Sequence, residues 1–244
     1  LELYDDLPQR LADWDIRYMV FNDHLPHDRL DEGKLPRRLN GQALKARRSP
    51  EKHHAYMKEL HALGPEVPAA LDALCPRLAA AGICMGSHDD ATAETRAIWR
   101  ARGVHVAEFP ETLEAAEAAH DAGDPVLMGA PNVVRGGSHN GNLSAIDLLA
   151  MGYCDALASD YHYPSPRRAA LMLADAGVMD LPSAWALVSS GPASVLGLSD
   201  RGTLEVGKRA DFVVLDAQTR RVAATFVQGR VSYMNGAVAE RFIG

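Results

Sequence analysis

Cysteine is scarce in this chain: 3 residues of 244, at positions 75, 84 and 154. The number is odd, no C-x-x-C pair occurs, and Cys84 and Cys154 sit in or beside apolar runs. That argues against a disulfide framework and reads as reduced core thiols in a cytoplasmic protein. Long apolar runs are also missing. None approaches the roughly 20 residues that span a bilayer as a helix, so no membrane partner is expected. There is no cationic surplus either: 25 Lys and Arg stand against 32 Asp and Glu, a net charge of -7. Phosphate neutralisation needs clustered cations, so a general nucleic-acid binder is not expected. A small anionic substrate stays open, because a bound metal or a local arginine group outweighs the global field. Ser87 and Ser159 lack a G-x-S-x-G context, which argues against a serine-hydrolase triad. The chain begins at Leu1 rather than Met, so residues upstream are expected and a signal peptide is judged neither way.

What is present is an ordinary globular composition, 47% apolar and 23% charged, at a length close to that of one α/β barrel. Short apolar runs alternate with helical segments and stop at ionisable residues. The strands expected are 16–21, 83–87, 104–108, 126–129 and 155–159. Helices are expected over 51–63, 67–81, 91–102, 110–122 and 143–151, the last stopped by Gly152. Strands alternating with helices in this way mean parallel βαβ units. A doubly wound sheet uses five strands; a (β/α)8 barrel needs three more, upstream of residue 16. Residues 25–50 carry Pro26, Pro36 and Pro50 with Lys34, Arg37, Arg38, Lys45, Arg47 and Arg48, and read as a long irregular loop. Residues 131–142 read as a Gly-rich loop. After helices at 165–177, 182–188 and 191–197 the pattern turns to β-type runs at 212–215, 222–228 and 231–234, a sheet too small to stand alone. The division expected is 1–200 and 201–244.

Three residues stand just past apolar strands: His24, His88 and Asp160. In a parallel barrel their side chains converge at one mouth, and imidazoles with a carboxylate make a water-activating metal site. Taken alone, His24 reads as a structural histidine and Asp160 as a helix cap; His88, beside Asp89 and Asp90, reads either way. The recurrence at strand ends favours the joint reading. Glu108 ends another strand, as a site carboxylate or as a group favoured by the following helix N-terminus. Arg135 and His139 lie in the Gly-rich segment, which suits a phosphate, weakly. The cations of 34–48 read as a polyphosphate clamp or as a solvated face. His53, His54, His61 and His120 read as surface residues without partners. Zinc, manganese or iron all accept such ligands, as one or two ions.

With these residues identified, the chain resembles a known family. Gly86-Ser87-His88-Asp89-Asp90-Ala91-Thr92, Ala107-Glu108-Phe109-Pro110-Glu111-Thr112, Met128-Gly129-Ala130-Pro131-Asn132-Val133-Val134-Arg135-Gly136-Gly137-Ser138-His139 and Ala158-Ser159-Asp160-Tyr161 resemble the α-D-ribose 1-methylphosphonate 5-triphosphate diphosphatases of the carbon–phosphorus lyase pathway. These lie within the amidohydrolase superfamily. The tail from Gly202 through Asp216, with Val227-Gln228-Gly229-Arg230-Val231, is similar to the superfamily's C-terminal β-sandwich. The resemblance implies an α/β fold: an incomplete TIM-type barrel, about five of eight strands, with part of that sandwich. It implies a divalent metal, zinc first, and cleavage of a sugar 5-triphosphate to the 5-phosphate and pyrophosphate. By matching position, Glu2, His24, His88 and Asp160 are the implied metal ligands, and Asp160 takes a proton from the attacking water. Asp89, Glu108, Arg135 and His139 are implied substrate contacts. Two departures stand out. The family's first strand with its His-x-Asp pair is absent, and Asp23-His24-Leu25-Pro26-His27-Asp28 replaces a common Asp-His-Ser/Thr-Pro-Gly-Gln. The rival readings are a C–N hydrolase acting on a cyclic amide or N-acyl group, and an inactive truncated fragment. A homo-oligomer is left open.

Overall fold

A computed structural model describes residues 4–137 and 143–243, which form two compact units. The first holds the described residues up to Asp89 together with Glu94–His105; the second holds Asp90–Ala93 and the residues from Val106 onward.

In the first unit the elements run α1 (Leu7–Asp13), β1 (Tyr18–Phe21), α2 (His27–Asp31), α3 (Leu39–Lys45), α4 (Pro50–Ala62), α5 (Val67–Ala80), β2 (Cys84–His88) and α6 (Ala93–Ala101). Helix α4 starts where Ser49 caps it, its hydroxyl accepting from Lys52 N–H at 3.3 Å, with Pro50 pre-set in the first turn. β1 and β2 pair in parallel with Tyr18 opposite Cys84 and Phe21 opposite Ser87. One face of this pair is covered by Leu71, Leu74, Cys75 and Leu78 of α5 and by Leu11 of α1. Phe21 stacks on Trp99 of α6 at 5.2 Å between ring centroids. The residues between 25 and 50 are not one irregular loop: α2 and α3 lie there, and Leu30, Leu39 and Met57 of α4 make a small core of their own with Leu25 against it. Their apolar positions are few and broken by proline and cations, so no period showed.

The second unit contains β3 (Val106–Glu108), α7 (Leu113–Asp121), β4 (Val126–Gly129), α8 (Ala130–Arg135), α9 (Ala145–Met151), β5 (Ala156–Ala158), α10 (Ser165–Asp175), α11 (Leu181–Ala186), α12 (Ser190–Val195), β6 (Phe212–Leu215), β7 (Val222–Val227), β8 (Arg230–Met234) and α13 (Gly236–Ile243). β3, β4 and β5 are parallel, with Glu108 opposite Leu127 and Gly129 opposite Ala158. All five expected parallel strands are therefore present, two in the first unit and three in the second. The helix α8 corrects the expected Gly-rich loop: Pro131 opens it and Gly136, at φ 76°, closes it in the left-handed region. Ser138–Asn142 lie outside the described residues. β6, β7 and β8 form an antiparallel sheet. It is tied to α10 where Arg220 pairs with Asp175 at 2.5 Å and Arg167 donates to Arg220 O at 2.6 Å. No helix among the described residues is long and apolar enough to cross a membrane.

No disulfide joins any two of the three cysteines, and Cys75 and Cys154 are buried. Burial, with the Asp155 charge beside it, pushes the Cys154 thiol up to about 12. Among the described glycines of the second unit, the closest approach is at Gly191 in α12, against the residue that leads into β5. A Cβ there would lie 2.2 Å from Asp155 O and 3.1 Å from Ala186 O. Both neighbours are backbone, so neither yields cheaply. Gly191→Ala is expected to lower stability by about 2–3 kcal/mol, read as a drop in the denaturant midpoint. A midpoint equal to wild type would contradict this packing of α12 on β5.

Candidate metal centre

The parallel pairing of β1 and β2 decides where the first histidines go. His88 is the last residue of β2, and His24 follows β1 by three residues, so both leave the C-terminal ends of adjacent strands. The turn between β1 and His24 is fixed by Asp23, whose carboxylate accepts from Leu25 N–H at 2.9 Å. Burial would raise the Asp23 pKa, but that N–H, the His27 contact and the nearby His27 and His24 together hold it below the usual carboxylate range. Asp23 therefore stays ionised through the neutral range.

Asp89 completes the group. It adopts a left-handed φ of 59°, which turns the chain just after β2. Its carboxylate faces both rings, Oδ2 at 3.4 Å from His24 Nε2 and Oδ1 at 3.4 Å from His88 Nε2. The rings are 5.4 Å apart between centroids and tilted by 54°. One donor atom from each of the three residues lies within 4.8 Å of the others. Metal–nitrogen and metal–oxygen bonds of roughly 2.0–2.2 Å bring ligand atoms to about 3–4 Å, so a small inward movement closes this set on a divalent ion. His24 is 62% exposed and His88 15%, leaving an open side for water or substrate. Two imidazoles and a carboxylate suit a borderline transition metal such as zinc. This is the one such group of three among the described residues.

Beneath it lies Arg96, 2% exposed. Its guanidinium donates to Ser87 Oγ at 2.5 Å, to Val104 O at 3.3 Å and to His105 O at 3.2 Å. A buried cation thus clamps the residue next to His88 to the end of the unit. Sequence reasoning did not give Arg96 this role. The signal was a charged residue on the inward side of an amphipathic helix.

Other site candidates fall in the second unit. Glu108 ends β3 and is partly buried; Asp160 follows β5 by two residues at a left-handed φ of 48°. Phe109, next after β3, is also left-handed at φ 56°. Asp tolerates that region; for phenylalanine it is strained, and such strain collects at functional sites. Arg135, at the end of α8, donates to the hydroxyl of Tyr161, the neighbour of Asp160. The structure thus brings Arg135 up to the Asp160 segment. Glu2 and His139 lie outside the described residues. Asp89, expected to touch substrate, is also placed among the possible ligands. Two histidines expected to lack partners have them: His120 packs on Tyr153 at 4.7 Å, and His61 on His27 at 5.0 Å. His53 and His54 are half-buried rather than on the surface.

Comparison with known proteins agrees with the family resemblance. The amidohydrolase family model matches residues 147–234. The α-D-ribose 1-methylphosphonate 5-triphosphate diphosphatase of Escherichia coli K12 is 49% identical over 134 residues, 54% of this chain. The matched stretch spans 35% of that relative's length. Among solved structures, an amidohydrolase from Thermotoga maritima MSB8 is similar with a TM-score of 0.56 at 18% identity, over 89% of this chain and 62% of its own. A β-aspartyl dipeptidase from Fervidobacterium islandicum AW-1 gives a TM-score of 0.56 at 12% identity, over 70% of this chain and 55% of its own. At those identities the likeness is one of fold.

Replacing Arg96 by Met removes the guanidinium and the hydrogen bonds it donates to Ser87 Oγ, Val104 O and His105 O. The expected loss is roughly 2–3 kcal/mol of stability in chemical denaturation. An unchanged midpoint would show that this clamp does not hold β2.

Proposed function

We propose that this chain acts in a metal-dependent hydrolase that cleaves α-D-ribose 1-methylphosphonate 5-triphosphate to the 5-phosphate and pyrophosphate. The observation that carries the substrate is the 49% identity to the E. coli diphosphatase over 134 residues. The observation that supports the chemistry is the meeting of His24, His88 and Asp89 at strand ends. In this reading the chain is a large part of a TIM-type barrel, 1–200, followed by a sandwich portion, 201–244. The amidohydrolase-like solved structures and the parallel strands support such a barrel.

His24 and His88 hold a divalent ion, with a carboxylate from Asp89, Asp160 or Glu2. When bound, that ion polarises a phosphoryl oxygen and lowers the pKa of a water. Asp160 accepts the proton of the attacking water, a reading supported by its position two residues after β5. Arg135, fixed by Tyr161, offers its remaining N–H groups to a phosphate, the geometry a guanidinium fork suits. Glu108 and His139 orient the sugar end, and the cations of 34–48 draw in a polyanion. The substrate is small and anionic, and the expected location is the cytoplasm.

Asp160→Asn in the complete protein is expected to cut pyrophosphate release by roughly a thousandfold, the usual worth of a positioned base, with the fold unchanged by circular dichroism. Release at the wild-type rate would remove Asp160 from the role. Hydrolysis of a cyclic amide with no pyrophosphate released would move the reaction to the C–N hydrolases of this fold.

A further inference from the structure

Four side chains in the first unit form a line that the proposed reaction does not use. His27, at the start of α2, and His61, near the end of α4, face each other with Nδ1 atoms 2.7 Å apart. On the outer side, His27 Nε2 lies 2.9 Å from Asp23 Oδ2, and His61 Nε2 lies 3.0 Å from Asp31 Oδ1. Each Nε2 thus faces a carboxylate oxygen, and the two Nδ1 atoms face each other. Two ring nitrogens approach this closely only with a proton or a metal ion between them.

We propose that His27 and His61 are the protein ligands of a second transition-metal site, separate from His24, His88 and Asp89. A carboxylate behind each imidazole is the arrangement that fixes the tautomer of a metal-ligating histidine and raises its basicity. The rings are 38% and 25% exposed, so an ion can reach them. Zinc–nitrogen bonds of roughly 2.0–2.1 Å at a tetrahedral angle need the nitrogens about 3.3 Å apart, an opening of about half an ångström. Solvent fills the other positions, which makes the site a modest binder of zinc-class ions. Its role is structural. It closes α2 onto α4 and holds the ends of the segment that carries Lys34, Arg37, Arg38, Lys45, Arg47 and Arg48.

The test counts Zn2+ bound per chain by competition with a chromogenic chelator. His61→Gln and His27→Gln should each bind one ion fewer than wild type. Asp31→Asn keeps both ligand nitrogens and should hold that ion 10- to 100-fold more weakly, about the effect of losing such a partner. In the unaltered chain, Zn2+ should slow carbethoxylation of His27 and His61 by diethylpyrocarbonate, read by mass spectrometry, which needs no variant to fold. Equal zinc counts in wild type and both glutamine variants, or equal labelling of these histidines with and without Zn2+, would overturn the site and leave a proton shared between two rings.

Discussion

The parallel pairing of β1 with β2 is the constraint on which the candidate centre depends. With Phe21 opposite Ser87, the two chains leave the ladder together, and residues far apart in sequence reach the same end. A slip of one residue would send every side chain of β1 to the other face. The register is held by apolar burial on α5, by the Phe21–Trp99 stack and by Arg96. The centre itself is polar and partly open; its precision comes from the buried layer beneath it.

The backbone turns left-handed at the strand ends. Asp89, Phe109 and Asp160 all follow strands at once or within two residues, and all are left-handed. Each turn re-aims the chain where a parallel strand ends, in either unit. In α/β architectures the C-terminal ends of strands are where ligands bind. Carboxylates dominate there: Asp89 in one unit, Glu108 and Asp160 in the other.

The five parallel strands were legible because each is a short apolar run bounded by polar residues, and buried parallel strands need little else. The helices α4, α5, α7 and α9 were legible from apolar spacing and from Gly152. The small helices α2, α3 and α8 were not. Leu30, Leu39 and Ala43 are too few to set a period, and around α8 the glycines hid a helix that Pro131 opens and Gly136 closes. His24 and His88 were legible as strand-end residues. The place of Asp89 was not, because it depends on a left-handed turn that sequence spacing does not reveal. His61 gave no signal at all: its partners His27 and Asp31 lie 34 and 30 residues away, across the segment read as a loop.

The central claim is that His24 and His88, with a carboxylate, grip one cation. Crystals of the zinc-loaded protein, measured at the zinc absorption edge, test it directly. The account predicts an anomalous peak roughly 2.0–2.2 Å from a ring nitrogen of each histidine and from a carboxylate oxygen of Asp89. A fully loaded crystal with no peak between His24 and His88 would contradict it.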